Sequence, residues 1–88
     1  MTFKKRRGIH LSYKEQGLIN FTCLNYSTQP PAIREKIRTM CDEIGGEYSA
    51  PLFVILTRDD VSVACAAMEY AVSERTLYRL RKAFYESW

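Results

Sequence analysis

Residues 62–84, SVACAAMEYAVSERTLYRLRKAF, decide how this chain folds. Val63, Ala66, Ala67 and Tyr70 recur at i, i+3, i+4 and i+7, which is one face of a helix, and Leu77, Leu80 and Phe84 resume the pattern further on. Between the two runs lies Tyr70-Ala71-Val72, followed by Ser73, a residue type that caps helix N-termini. Two helices joined by so short a turn need a small residue where they cross, an apolar anchor at the turn and two inward positions on the second helix. Ala67 supplies the small residue, Tyr70 and Val72 the anchors, and Leu77 and Leu80 the inward pair. The turn takes a left-handed residue, most often glycine, and Ala71 stands there at a cost of roughly 1 kcal/mol.

Working outward, the first of these helices is expected over about Val61 to Tyr70, and the second begins after Ser73 and continues to about Glu86. Thr57-Arg58-Asp59-Asp60 forms the break before them, with either aspartate able to cap the first. Ser49 is the expected N-cap of a short buried helix carrying Pro51 to Leu56, an apolar run that finds no convincing partner strand elsewhere. Ile33, Ile37, Met40, Cys41 and Ile44 repeat at helical spacing between Pro31 and the Gly45-Gly46 stop. Ser12-Tyr13-Lys14-Glu15 has the spacing of a capping box and opens a helix to about Tyr26, although Ile19, Phe21 and Cys23 also alternate as a strand would. The expectation is a single all-α domain of about five helices: a basic arm over 1–11, two N-terminal helices over 12–46 and a trihelical helix-turn-helix unit over 49–88.

Size and composition restrict the function. An 88-residue chain that is 47% hydrophobic builds one modest core and leaves no room for a two-domain enzyme. Cys23, Cys41 and Cys65 are widely spaced and form no C-x-x-C pair, so they are expected as small buried hydrophobes in a reducing compartment. His10, the single histidine, completes no zinc pattern with them, and neither a metal nor a cofactor is expected. No Gly-rich phosphate loop and no nucleophile–base spacing appears, which argues against catalysis. The apolar run is too short to span a membrane, and the cluster Lys4-Lys5-Arg6-Arg7 is not followed by the apolar segment of a secretion signal, so a cytoplasmic protein is expected.

Charge is unevenly placed. The first 14 residues carry five basic residues and no acid, residues 15–70 carry four basic and eight acidic, and the last 18 carry Arg75, Arg79, Arg81 and Lys82 against Glu74 and Glu86. Two basic ends around an acidic middle suit a protein that meets phosphates at those ends.

Ser62 to Phe84 resembles the region-4 helix-turn-helix of sigma-70-type transcription factors and is similar to the C-terminal part of small regulators carried by phages and conjugative elements. The resemblance stops short of the N-terminal half, and the chain is too short to be a complete sigma factor. It implies a sequence-specific regulator of transcription whose second helix enters the major groove of duplex DNA, with Ser73, Glu74, Arg75, Tyr78, Arg79 and Lys82 as its outward face. Arg75 and Arg79 suit guanine N7 and O6, and Glu74 a cytosine amino group. Ser73, Lys82 and Arg81 suit phosphate. Lys4, Lys5, Arg6 and Arg7 are either a second, DNA-backbone arm or a solvated tail. RNA polymerase, another regulator or a second copy of the chain are further candidate partners. The competing class is a helical adaptor that keeps this fold and binds protein, and a third reading is the detached DNA-binding piece of a recombinase. Phe84, Tyr85 and Trp88 pack onto the first two helices or form a dimer surface.

Overall fold

A computed structural model describes residues 8–88 and is all-helical over them. In chain order, α1 (Tyr13–Leu24), α2 (Pro31–Gly45), α3 (Ser49–Thr57), α4 (Val63–Glu69) and α5 (Glu74–Ser87) are joined by short links, two of which are single 3₁₀ turns at Tyr26–Thr28 and Gly46–Tyr48. No strand occurs among the described residues, so the alternation of Ile19, Phe21 and Cys23 belongs to a helix. Lys4 to Arg7 lie outside the described residues.

Local chemistry accounts for the boundaries. Ser12 Oγ accepts from the Glu15 N–H at 3.1 Å while a Glu15 carboxylate oxygen accepts from the Ser12 N–H at 3.2 Å, which is the expected capping box. The Ser12 hydroxyl and the Ser12 backbone N–H, both beside the Glu15 carboxyl, hold it below its ordinary range. α1 ends at Leu24 rather than Tyr26, because Asn25 turns its side-chain amide back to the Phe21 carbonyl at 2.8 Å and the chain tightens into the 3₁₀ turn. α2 has Pro31 at its start, and Gly46 leaves it with φ 55 and ψ −120, a backbone region open essentially to glycine alone. Ser49 is the first residue of α3 rather than its cap: the 3₁₀ turn runs straight into the helix and no side chain caps it. The cap of α4 is Ser62, whose Oγ accepts from the Cys65 N–H at 3.0 Å. Neither Asp59 nor Asp60 fills that place, and Asp60 instead pairs with Arg58 at 2.9 Å.

The core has two parts. Ile19 and Cys23 of α1, Ile37 and Cys41 of α2, Leu52 and Leu56 of α3, and Leu80, Phe84 and Tyr85 of α5 form the larger, closed at one end by Ile9. Ile37, Leu52 and Phe84 are fully buried, each worth roughly 1.5–3 kcal/mol of transfer free energy. Val63, Ala66, Ala67 and Leu77 form a smaller cluster between α4 and the first half of α5, and Ile55 touches both. α5 is therefore the common wall: its first half closes the small cluster and its second half the large one. Phe84 and Tyr85 are core, with the Tyr85 hydroxyl donating to Asn20 Oδ1 at 3.4 Å, and Trp88 packs against Phe84 under the Lys36 ammonium. No helix among the described residues is long and apolar enough to cross a membrane.

Candidate nucleic-acid interface

The segment from α4 to α5 presents a face bearing Arg75, Arg79 and Lys82, and it begins with the turn between the two helices. Ala71 has φ 53, the left-handed conformation the sequence requires at that place. Around it the Val72 N–H donates to the Ala67 carbonyl at 3.0 Å and the Ala71 N–H to the Met68 carbonyl at 3.4 Å. This is the Schellman pair of bonds that satisfies the last carbonyls of a helix. Val72 packs on the small cluster with Val61 and Ile55, and so anchors the turn. Tyr70 does not share this role: it is the C-cap residue, past the last helical turn, and stays exposed.

Ser73 then fixes the start of α5. Its Oγ accepts from the Thr76 N–H at 3.1 Å and its hydroxyl donates to Thr76 Oγ1 at 2.8 Å. With that hydroxyl occupied in capping, the donors suited to an anion at this end are the backbone N–H groups of the first turn. Burial of Leu77, Leu80 and Phe84 sets the rotation of α5 and turns Ser73, Glu74, Arg75, Tyr78 and Arg79 to solvent, with Lys82 half-buried. Arg75, Arg79, Lys82 and Glu86 lie at i, i+4, i+7 and i+11 and so share one face. Glu74 and Tyr78 run beside them, and the Arg81 guanidinium sits 5.1 Å from the Tyr78 ring, a cation–π distance that steadies the tyrosine.

The other face of α4 is nearly uncharged. Ala64, Cys65 and Met68 are exposed there, Met68 at 86%. Cys65 therefore departs from the expectation of three buried thiols, because the helical phase that buries Val63, Ala66 and Ala67 points it outward. Cys23 and Cys41 are buried, and desolvation pushes both thiols up to about 12. Among the described residues no group of three or more His, Cys, Asp or Glu side chains could hold a metal ion. Two open grooves of about 390 and 440 Å³ run along α2, sharing Tyr26, Arg38 and Asp42, and lie apart from the outward face of α5.

No protein-family model matches this chain, and no curated protein or solved structure shows significant similarity to it.

What the sequence left unseen is a strap over residues 9–11 that ties the two ends of the domain together. Gln16, fully buried, donates through Nε2 to the Ile9 carbonyl at 3.4 Å and the Leu11 carbonyl at 3.1 Å. The His10 N–H donates to Glu86 Oε2 at 3.0 Å across a separation of 76 residues. Local pattern carries no signal for such a pair. A glutamine on the buried face of a predicted helix is the only hint that backbone carbonyls had to be satisfied nearby.

Proposed function

We propose that this protein is a DNA-binding regulator of transcription in which α4, the Ala71 turn and α5 act as a C-terminal helix-turn-helix on a base of α1 to α3. The observation that carries the reading is the join between a tightly closed left-handed turn and an exposed face bearing Arg75, Arg79 and Lys82 in register. An N-capped helix presented in this way offers two planar guanidinium forks to base edges and an ammonium to phosphate. Glu74, at the start of the same helix, would accept from cytosine or exclude a base that lacks a donor. Ser73 contributes through the cap, and Tyr78, braced by Arg81, covers a sugar or donates to a phosphate. The reading carries with it a cytoplasmic location and duplex DNA as partner, with RNA polymerase as a second partner in regulation.

A protein-binding adaptor is the alternative, and one observation favours it. Leu18 and Phe21 on the outer face of α1 are 65% and 67% exposed, and that face has no covering element among the described residues. The experiment that separates the two is duplex-DNA binding at low and moderate salt by wild type and by Arg75→Glu/Arg79→Glu. Salt-dependent binding that the variant loses with its helical content intact supports the regulator. Absence of binding by both proteins at low salt rejects it and turns attention to the Leu18/Phe21 face.

A further inference from the structure

Arg34 Nε is buried and has no hydrogen-bond partner among the described residues. A buried donor without an acceptor is costly enough to call for an explanation, and a ligand that supplies the acceptor is one. Arg34 is half-buried and lines the groove of about 440 Å³ that α2 forms with Tyr26. Arg38 and Asp42 line it too, at i+4 and i+8, so the three share one edge of α2 in the order plus, plus, minus. Successive members are about 6 Å apart along the helix axis. Arg38 and Asp42 have the spacing of an intrahelical ion pair, yet the pair that forms among the described residues is Arg58 with Asp60. Both charges are therefore open to the groove.

Past Asp42 the cleft continues into the second groove, of about 390 Å³, which shares Tyr26, Arg38 and Asp42 with the first. Its walls are more apolar. Tyr26 and Phe53 meet edge to face at 4.9 Å, and buried Cys41 lies at the floor. The Asp42 carboxylate is close to that thiol, since burial first and Asp42 second push Cys41 up to about 12. The Ser49 hydroxyl at this end is not spent on capping α3. Glu35 lines the first groove further round α2, so Arg34, Arg38, Glu35 and Asp42 bring the lining to zero net charge.

We infer that this cleft binds a free α-amino acid with an aromatic or bulky apolar side chain: the α-carboxylate lies against Arg34 and Arg38, the α-ammonium against Asp42, and the side chain against Tyr26 and Phe53. A lining of zero net charge does not favour a plain anion, and a phosphate dianion would meet two carboxylates along with the two arginines. A zwitterion satisfies both signs at once, in the order in which α2 presents them. Guanidinium forks match a planar carboxylate, and Arg34 turned towards one gives Nε the acceptor it lacks. Each groove falls within the roughly 300–1,000 Å³ of small-ligand clefts, whose usual pattern is apolar walls with a few placed charges. The cleft lies apart from the outward face of α5, so the site holds whether or not that face binds DNA.

The test uses the full chain at neutral pH and follows binding by calorimetry and by amide shifts in two-dimensional NMR. The probes are L-phenylalanine, L-tyrosine, L-tryptophan, L-leucine and L-methionine. The tightest binder is then compared with its analogues lacking the ammonium or the carboxylate, which for phenylalanine are 3-phenylpropanoate and 2-phenylethylamine. Saturable binding is expected for at least one amino acid, with shifts centred on Tyr26, Arg38 and Phe53, and both analogues should bind ~10-fold or more weakly, the worth of one charge-assisted hydrogen bond. Two variants at exposed positions, checked by thermal melts, separate the charges. Arg38→Ala should weaken the amino acid and the ammonium-free analogue alike. Asp42→Asn should weaken the amino acid yet tighten the ammonium-free analogue, because a repelling carboxylate has gone. No saturable binding by any of the five, equal binding of the ammonium-free analogue to wild type, shifts that map away from the cleft, or folded variants that bind as wild type does would each overturn the site. The comparison of analogues on the wild-type chain decides the matter even if a variant does not fold.

Discussion

The backbone N–H of Val72 donates to the carbonyl of Ala67 at 3.0 Å, closing the end of α4 through a left-handed Ala71. A Cβ at φ 53 crowds the neighbouring carbonyl, so the turn that sets the angle between α4 and α5 is made with local strain. The strain is offset by Val72, which the same bond delivers into the small core beside Val61 and Ile55.

Relief of that strain gives a first prediction. Ala71→Gly removes the Cβ crowding but raises the entropy of the unfolded chain, and the difference should favour the folded state by about 0.5 kcal/mol. For a domain of this size the melting temperature should rise by roughly 2–4 °C. Ala71→Val, β-branched at a positive φ, should lower it by more than glycine raises it. Thermal unfolding of the three proteins should therefore rank Gly above Ala above Val, and an unchanged or inverted order would mean that the turn relaxes out of the left-handed region.

Much of the fold was legible because its signals are local. Ser12 with Glu15, Ser73 before the second run and the Ile33 to Ile44 spacing each act within a few residues, and each marks an element that the structure contains. The residues proposed for DNA were legible in a weaker sense: burial of Leu77 and Leu80 fixes which side of α5 is outward, and Arg75 and Arg79 follow from it. Three features were read differently or missed, and only the last of them is long-range. The cap of α4 is Ser62, two residues past Asp60, and Asp60 pairs with Arg58. Tyr70 fell outside because a helix that stops at Glu69 no longer carries the i+7 position onto its buried face. The strap depends on Glu86, whose partner is at the other end of the chain.

Thiol reactivity should divide the three cysteines. Cys23 and Cys41 are buried, and with their thiols pushed from 9.0 up to about 12 they hold essentially no thiolate near neutral pH. Cys65 is exposed on α4. A thiol reagent at neutral pH should therefore label one cysteine per native chain, mapped to Cys65, and all three after denaturation. The same burial has an alkaline consequence. A folded-state value above the unfolded one means that the native state holds its protons longer, so the stabilisation is complete below about 9 and declines as pH rises towards about 12. Denaturant midpoints should fall across that interval in wild type and fall less in Cys23→Ala, whatever the absolute stability of that variant.

At the acid end the capping box governs the response. The Glu15 carboxyl lies below its ordinary value of 4.5 because Ser12 donates to it and is held by it in return. A depressed folded-state value stabilises the protein at every pH above the unfolded value, and that contribution is lost as pH falls through the folded one. The Arg58 pair depresses Asp60 in the same direction, so the wild-type acid response contains both groups. Comparison with Glu15→Gln isolates the first of them. Its amide oxygen can still accept from the Ser12 N–H but does not titrate, so the stability gap between wild type and Glu15→Gln should narrow as pH drops from about 6 to about 3. Ser12→Ala removes the other half of the box and should cost about 1 kcal/mol near neutral pH. It should also reduce the narrowing, since the Ser12 hydroxyl is lost while the backbone N–H of residue 12 can still donate to the Glu15 carboxylate. Urea midpoints measured on the three proteins at the two pH values test this directly, and a gap that stays constant with pH would show that the Glu15 carboxylate does not engage the Ser12 N–H in solution.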